Sequence, residues 1–118
     1  MYEYFPEITS EDMSPEFMAL LVEIREEVGF PLPVTSSFRS FFTHPREILK
    51  SKPGPHALGK AVDINVYGPQ ALELVRVALN KGMQGVGLRQ TGPHHKRFIH
   101  LDNCEHVPHR PRPWVWTY

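Results

Sequence analysis

Two histidines and one aspartate are the residues that most constrain the fold of this chain. His56 and Asp63 lie in the segment His-Ala-Leu-Gly-Lys-Ala-Val-Asp, and His100 lies in the later segment Phe-Ile-His-Leu-Asp. Residues two apart in a strand point to the same face, so two adjacent strands can present Asp63 and His100 together. His56 would enter from the preceding loop, where Gly59 permits a sharp change of direction. The sequence therefore predicts that these three side chains meet at one face of a sheet.

Two imidazoles and one carboxylate match the protein ligands of a catalytic zinc site, which leaves a fourth position for water. Structural zinc sites usually have four protein ligands, often several cysteines, and this chain has one cysteine, Cys104. We expect one Zn²⁺ per chain, which would make its water a nucleophile at neutral pH. Asp102 is predicted either to accept a hydrogen bond from a ligand imidazole or to cap the turn that follows its strand.

The pattern His-x-x-Gly-x-Ala-x-Asp with a later His-x-Asp resembles a known family. It is similar to the zinc D-Ala-D-Ala carboxypeptidases and related peptidoglycan endopeptidases, including phage endolysins and the vancomycin-resistance D,D-dipeptidases. The upstream segment Thr-Ser-Ser-Phe-Arg, which ends at Arg39, is similar to the family's Thr-Ser-Gly-Tyr-Arg, and the resemblance covers roughly residues 14–102. It implies a hedgehog-like fold and metal ligation by His56, Asp63 and His100. It also implies that Arg39 binds substrate or transition-state charge.

Two positions depart from the family pattern. Gly54 stands where the family usually has serine, and Arg97 stands where the D,D-dipeptidase branch has its general base, a glutamate. A carboxypeptidase-type branch instead uses a histidine five residues before the last ligand, and His95 occupies that place. We predict His95 as the proton shuttle, because imidazole titrates near neutrality, with His94 as the alternative. The competing interpretations are a solvated histidine pair and an ordinary surface arginine at Arg39.

Composition narrows the possible partners and compartments. The chain has 118 residues and zero net charge with neutral histidines, which suits one domain over residues 1–118. No run of like charges is present, so we expect no nucleic-acid partner. The sequence shows no signal peptide and no stretch that approaches a membrane span, so we expect synthesis in the cytoplasm. Cys104 lies in a polar segment and is predicted to remain reduced, without a catalytic role.

The order of predicted elements indicates an α+β domain with a small, mostly antiparallel sheet and two main helices. One helix is predicted from the Ser14 N-cap to the Gly29 C-cap, and a second from Pro69 to Lys81. Predicted strands are 32–34, 61–66, 85–88, 98–101 and 114–118, and residues 41–56 and 103–113 are predicted loops beside the site. The alternating residues Trp114, Trp116 and Tyr118 could form a groove wall, but we favour a buried face of the last strand.

The leading hypothesis is a zinc peptidase that cuts peptide bonds in bacterial cell-wall stem peptides, with the substrate class taken from the resemblance alone. The small size and the missing signal sequence suit a phage or prophage protein that acts on the cell wall. The alternative is a catalytically inactive metal-binding structural module, for example of a phage tail. The sequence leaves carboxypeptidase and endopeptidase action open, and it does not fix the oligomeric state.

Overall fold

The first helix, α1, begins and ends where its capping residues predict. In a computed structural model, which describes residues 2–118, α1 spans Pro15–Val28. The Ser14 hydroxyl accepts a hydrogen bond from the Phe17 backbone N–H at 3.3 Å, which satisfies one free donor of the first turn. Gly29 ends the helix with a φ of 75°, a left-handed conformation that glycine adopts without strain. Its inner face buries Phe17, Met18, Leu21 and Ile24 in the hydrophobic core.

The second helix, α2, spans Gly68–Asn80 and packs its apolar face into the same core. Its buried residues are Ala71, Leu74, Val77 and Ala78. The sequence pattern also predicts an inward-facing Leu79, and this is wrong, because Leu79 is 56% exposed. Successive helix residues are rotated by about 100°, so Leu79 falls beyond the edge of the face centred on Leu74 and Ala78.

Five strands form one mixed sheet. They are β1 (Val34–Ser36), β2 (Ala61–Ile64), β3 (Gly85–Arg89), β4 (Phe98–Asp102) and β5 (Trp114–Thr117). The spatial order is β1-β2-β4-β3-β5, with antiparallel pairing except between β3 and β5, which run parallel. The predicted α+β class with a mostly antiparallel sheet is confirmed. Compared with the predicted strands, β1 lies two residues later and β2 ends at Ile64.

The central strands β2 and β4 divide the molecule into an apolar side and a polar side. Val62, Ile64, Ile99 and Leu101 belong to the hydrophobic core shared with both helices. Since side chains alternate along a strand, the residues between them point to the opposite face. The register places Asp63 opposite His100 on that face. The polar face is therefore where a site can form.

The loop before β2 is fixed against the start of α1. Gly59 has a φ of 70°, and a Cβ there would overlap the backbone carbonyl of Asp12. The Ser14 N–H donates to the Gly59 carbonyl at 2.8 Å. The sharp turn predicted at Gly59 is thus present, and it requires glycine for both conformation and space.

Cys104 follows β4 and is completely buried, although its sequence neighbours are polar. Burial raises the pKa of its thiol to about 11, and the nearby Asp102 carboxylate adds to this shift. A thiol with such a pKa is a poor nucleophile at neutral pH.

Neither helix in residues 2–118 has the length and apolar character needed to cross a bilayer.

Candidate metal centre

His56, Asp63 and His100 converge on the polar face of the sheet. Each is buried, with 6%, 6% and 3% of its surface exposed. One ligand atom from each residue lies within 4.8 Å of the other two. Asp63 comes from β2 and His100 from the directly opposite position of β4, whereas the preceding loop supplies His56. The structure therefore brings together the three residues that the sequence pattern selects as ligands.

The outward nitrogen of each histidine ring has an acceptor. His56 Nδ1 lies 2.8 Å from the Ser37 carbonyl oxygen, and His100 Nε2 lies 2.7 Å from Asp102 Oδ2. Since these oxygens accept hydrogen bonds, both outward nitrogens carry hydrogen and donate. In neutral rings the inward atoms, His56 Nε2 and His100 Nδ1, are then unprotonated. They lie 3.4 Å and 3.1 Å from Asp63 Oδ1.

Three hydrogen-bond acceptors thus face one another in a buried site, and this arrangement requires a proton or a cation between them. Tetrahedral zinc with bonds of about 2.0–2.1 Å sets its ligand atoms about 3.3 Å apart, close to the two observed separations. Burial by itself would lower the pKa of His100, but hydrogen bonds to Asp102 and Asp63 raise it. Burial by itself would raise the pKa of Asp63, yet its histidine partners hold it well below its usual range. The site therefore favours positive charge and fits a metal ion.

Asp102 performs both roles that the sequence leaves open. Its carboxylate accepts from His100 Nε2, and it also accepts the Cys104 backbone N–H at 3.3 Å. Arg112 donates to both carboxylate oxygens, with Nε 2.9 Å from Oδ1 and Nη2 2.7 Å from Oδ2. This forked pair fixes the orientation of Asp102, and Asp102 in turn orients the ring of His100. Arg112 has no place in the sequence-based hypothesis, because it lies in a loop outside the motif.

Arg39 contacts the metal centre directly. Its Nε donates to Ser36 Oγ at 2.9 Å, and its Nη2 donates to Asp63 Oδ2 at 3.3 Å. The Asp63 oxygen facing Arg39 is the one turned away from the two histidines. Arg39 therefore lies beside the site, as the resemblance implies, and it also holds the Asp63 carboxylate in place.

Glu47 is a buried acid that sequence reasoning misses. It lies in the 41–56 loop, is fully buried, and accepts from Lys50 Nζ at 2.8 Å. Its Oε2 lies 4.0 Å from Arg39 Nη1, whereas its Oε1 has no hydrogen-bond partner among residues 2–118. A Cβ on Gly54 would lie 3.5 Å from that oxygen. Gly54 stands where the family pattern usually has serine, so no side-chain hydroxyl is present here to donate to this oxygen.

The two adjacent histidines before β4 have different surroundings. His94 stacks on the ring of Tyr67 at 4.1 Å with an interplanar angle of 18°. His95 is exposed and lines a cavity of about 520 Å³ together with Asp63 and Arg39. Both belong to a short 3₁₀ helix, His94–Lys96. The structure thus places His95 at the cavity beside the metal centre and His94 against an aromatic ring.

The prediction that Trp114, Trp116 and Tyr118 form a buried face of the last strand is wrong. Trp114 and Tyr118 are 54% and 61% exposed, and together with Trp116 they line a second cavity of about 500 Å³ that contains all three candidate ligands. The Trp116 ring centroid lies 5.0 Å from that of His100. β5 is an edge strand whose aromatic side chains point to the polar face, away from the helices. They form a wall of the site.

Comparison with known proteins agrees with the motif. A family model described as Peptidase M15 matches residues 6–102, which include the three candidate ligands, His95 and Arg39. Neither the curated proteins nor the solved structures gave a match. The family match covers most of the chain, and the site has the buried His-Asp-His group of a metal centre. The chain belongs to the Peptidase M15 family of zinc peptidases.

Proposed function

We propose that the protein is a zinc-dependent peptidase that hydrolyses peptide bonds of bacterial peptidoglycan stem peptides next to a D-amino acid. One observation carries the metallopeptidase assignment: one potential ligand atom each from His56, Asp63 and His100 converges beside an open cavity. The resemblance to D-Ala-D-Ala carboxypeptidases and endolysins supports the choice of substrate. Carboxypeptidase and endopeptidase action both fit this proposal.

The ligand count supports an enzyme over an inactive structural module. Among residues 2–118, the group around the site comprises His56, Asp63 and His100, without a fourth protein ligand. Structural zinc sites are usually closed by four protein ligands, whereas catalytic sites keep one position for water or substrate. The adjoining cavities provide access to that position.

The residues around the centre have distinct proposed roles. Zinc bound there would lower the pKa of a water molecule toward neutrality and polarise the scissile carbonyl. His56, Asp63 and His100 hold the ion, and Asp102 keeps His100 in the tautomer whose Nδ1 is free. His95 accepts a proton from the attacking water and passes it to the leaving amine. Arg39 binds the carboxylate or developing oxyanion of the substrate with its guanidinium group.

Incubation with purified muropeptides tests the proposed function. We expect the zinc-loaded protein to release smaller peptides that mass spectrometry identifies, and a chelator should abolish the release. His56→Ala and His100→Ala should lose zinc by elemental analysis and melt at a lower temperature, since a metal that binds the folded state stabilises it. Full zinc retention in either variant would refute the ligand assignment. Zinc binding without any muropeptide cleavage would leave the structural module as the better interpretation.

The biological setting remains a prediction. We propose that the protein is encoded by a phage or prophage and acts on the bacterial cell wall, which is the setting of the endolysins it resembles. Residues 1–118 are proposed to act as one peptidase domain, with one zinc ion per chain.

A further inference from the structure

Charge is distributed unevenly around the site. The chain has 13 Lys and Arg and 13 Asp and Glu, so its net charge is zero. The two cavities beside the metal centre share Arg39, Arg46, Asp63, Phe98 and Tyr118, and we call them together the cleft. Eight of the 13 basic residues line the cleft, whereas Asp63 is the only acidic residue among its lining residues. The neutral chain therefore has a strongly basic cleft.

Some of these cations balance buried carboxylates. Arg39 contacts Asp63, Lys50 contacts Glu47, and Arg112 contacts Asp102. The others form no ion pair within residues 2–118, and they are Arg46, Arg89, Lys96, Arg97 and Arg110. After the internal pairs are counted, the cleft keeps a surplus of positive charge.

On the helix side of the molecule, two basic residues are balanced by exposed acids. Arg76 on α2 pairs with Glu73, and Lys81 pairs with Glu27 at 3.7 Å. Unbalanced cations that line a concave site produce a positive potential, which concentrates anions there and speeds their association. Arginine also binds carboxylates through two parallel hydrogen bonds. The cleft cations thus have the chemistry of a carboxylate-binding surface.

The position of the surplus relative to the metal centre indicates where substrate charge would bind. Arg46, Arg89 and Lys96 line the 520 Å³ cavity that also contains Asp63 and His95. All three are exposed, so their charged groups are accessible from solvent. A peptide with its scissile bond at the metal centre would place neighbouring residues within this cavity.

We propose that the preferred substrate is an acidic peptide whose carboxylates bind Arg46, Arg89 and Lys96 beside the metal centre. This inference rests on the proposed peptidase function and specifies the substrate class. The cations act as specificity-determining residues that attract carboxylates near the scissile bond. Removal of their charges weakens binding of the acidic peptide and leaves binding of a neutral peptide almost unchanged.

Binding of two matched peptides tests the inference without depending on hydrolysis. The probes are fluorescein-labelled peptides of alternating alanine and glutamate, and the same peptides with glutamine in place of glutamate. Fluorescence anisotropy gives the Kd of each for the zinc-loaded protein, and mass spectrometry verifies that the peptide is intact. We expect the acidic peptide to bind about tenfold more tightly at low salt. The difference should shrink as salt shortens the Debye length from about 10 Å at 0.1 M to about 3 Å at 1 M.

The test variant combines Arg46→Gln, Arg89→Gln and Lys96→Gln. The control combines Arg25→Gln, Arg76→Gln and Lys81→Gln, which change net charge equally but lie outside the cleft lining. We expect the cleft variant to lose most of the preference for the acidic peptide and the control to keep it. Zinc content and melting temperature verify that both variants remain folded.

Two results would overturn the inference: equal binding of the two peptides by the unmodified protein, or an equal loss of preference in both variants. The second result would mean that net charge alone attracts the acidic peptide. The muropeptide assay separates this inference from the proposed function. Cleavage of muropeptides without a preference for carboxylates rejects the inference alone. A cleft-dependent preference without cleavage rejects the proposed function and leaves the cleft as a carboxylate-binding surface without a substrate.

Discussion

Gly85 on β3 lies directly against the carboxylate of Asp102 on β4. The two residues are paired in the sheet register, and a Cβ at Gly85 would overlap both carboxylate oxygens of Asp102. The missing side chain therefore creates the space in which Asp102 accepts a hydrogen bond from His100. A residue without functional groups thus supports the metal centre.

Gly85→Ala should weaken zinc binding by about 10-fold to 100-fold, the usual effect of losing a partner that orients a metal ligand. The added methyl group displaces Asp102 and releases the ring of His100. Competition with a chromophoric chelator measures the affinity. Gly54→Ala is the matched control, since its Cβ would meet the flexible end of Lys50 at 3.0 Å. Unchanged affinity in Gly85→Ala would show that Asp102 does not orient His100.

His95→Ala should retain zinc and the fold but lose about 10²-fold to 10⁴-fold in peptide hydrolysis, the usual contribution of a general acid or base. His94→Ala should have a much smaller effect, because His94 stacks on Tyr67. Steady-state kinetics of both variants at saturating zinc measure the difference. An inactive His94→Ala beside an active His95→Ala would mean that the shuttle is misassigned by one residue. Activity in both would place the shuttle elsewhere.

Arg39→Lys should be impaired almost as severely as Arg39→Ala when both are assayed at saturating zinc. Lysine keeps the charge but loses the planar fork that spans Ser36 and Asp63 and that we propose to bind a substrate carboxylate bidentately. An equal fall in kcat and kcat/KM would indicate a contact made in the transition state, whereas a rise in KM alone would indicate uniform substrate binding. Near-normal kinetics for both variants would contradict a role for Arg39 in the site.

Gly54→Ser should raise the free energy of unfolding relative to Gly54→Ala by about 1 kcal/mol, the net value of a typical hydrogen bond. The serine hydroxyl can donate to Glu47 Oε1, a buried atom without a partner among residues 2–118. Alanine is the proper reference, since it also restricts the unfolded backbone. Urea unfolding of the two variants measures the difference. Equal stability would indicate that this oxygen is already solvated in the unmodified protein.

The elements with strong local signals could be predicted from the sequence. Ser14 and Gly29 mark the ends of α1 because capping depends on neighbouring residues. The sequence does not fix which face of α2 is buried, because its apolar residues allow two adjoining faces. Packing against the sheet selects the face with Val77 and leaves Leu79 exposed.

The site could be predicted only as far as its motif extends. The spacing around His56, Asp63 and His100 specifies the ligands, but it contains no information on Arg112 or Glu47, whose roles depend on how two long loops fold back. The alternation in the last strand indicates that Trp114, Trp116 and Tyr118 share one face, without indicating which face. Gly87 pairs with Trp116 in the sheet and leaves room for the indole on the polar face, since a Cβ at Gly87 would lie 2.7 Å from the Trp116 indole nitrogen.

The hydrogen bond from His56 to the Ser37 carbonyl has a consequence for metal exchange. Asp63 and His100 are already opposed by strand pairing. His56 is tied to the segment that directly follows β1, since its ring donates to the Ser37 carbonyl and its own carbonyl accepts the Arg39 N–H at 3.2 Å. All three ligands are thus preorganised by the backbone, so little conformational entropy is lost when an ion binds. A chelator should remove zinc and leave the circular dichroism spectrum nearly unchanged, and the ion should return without refolding of the chain.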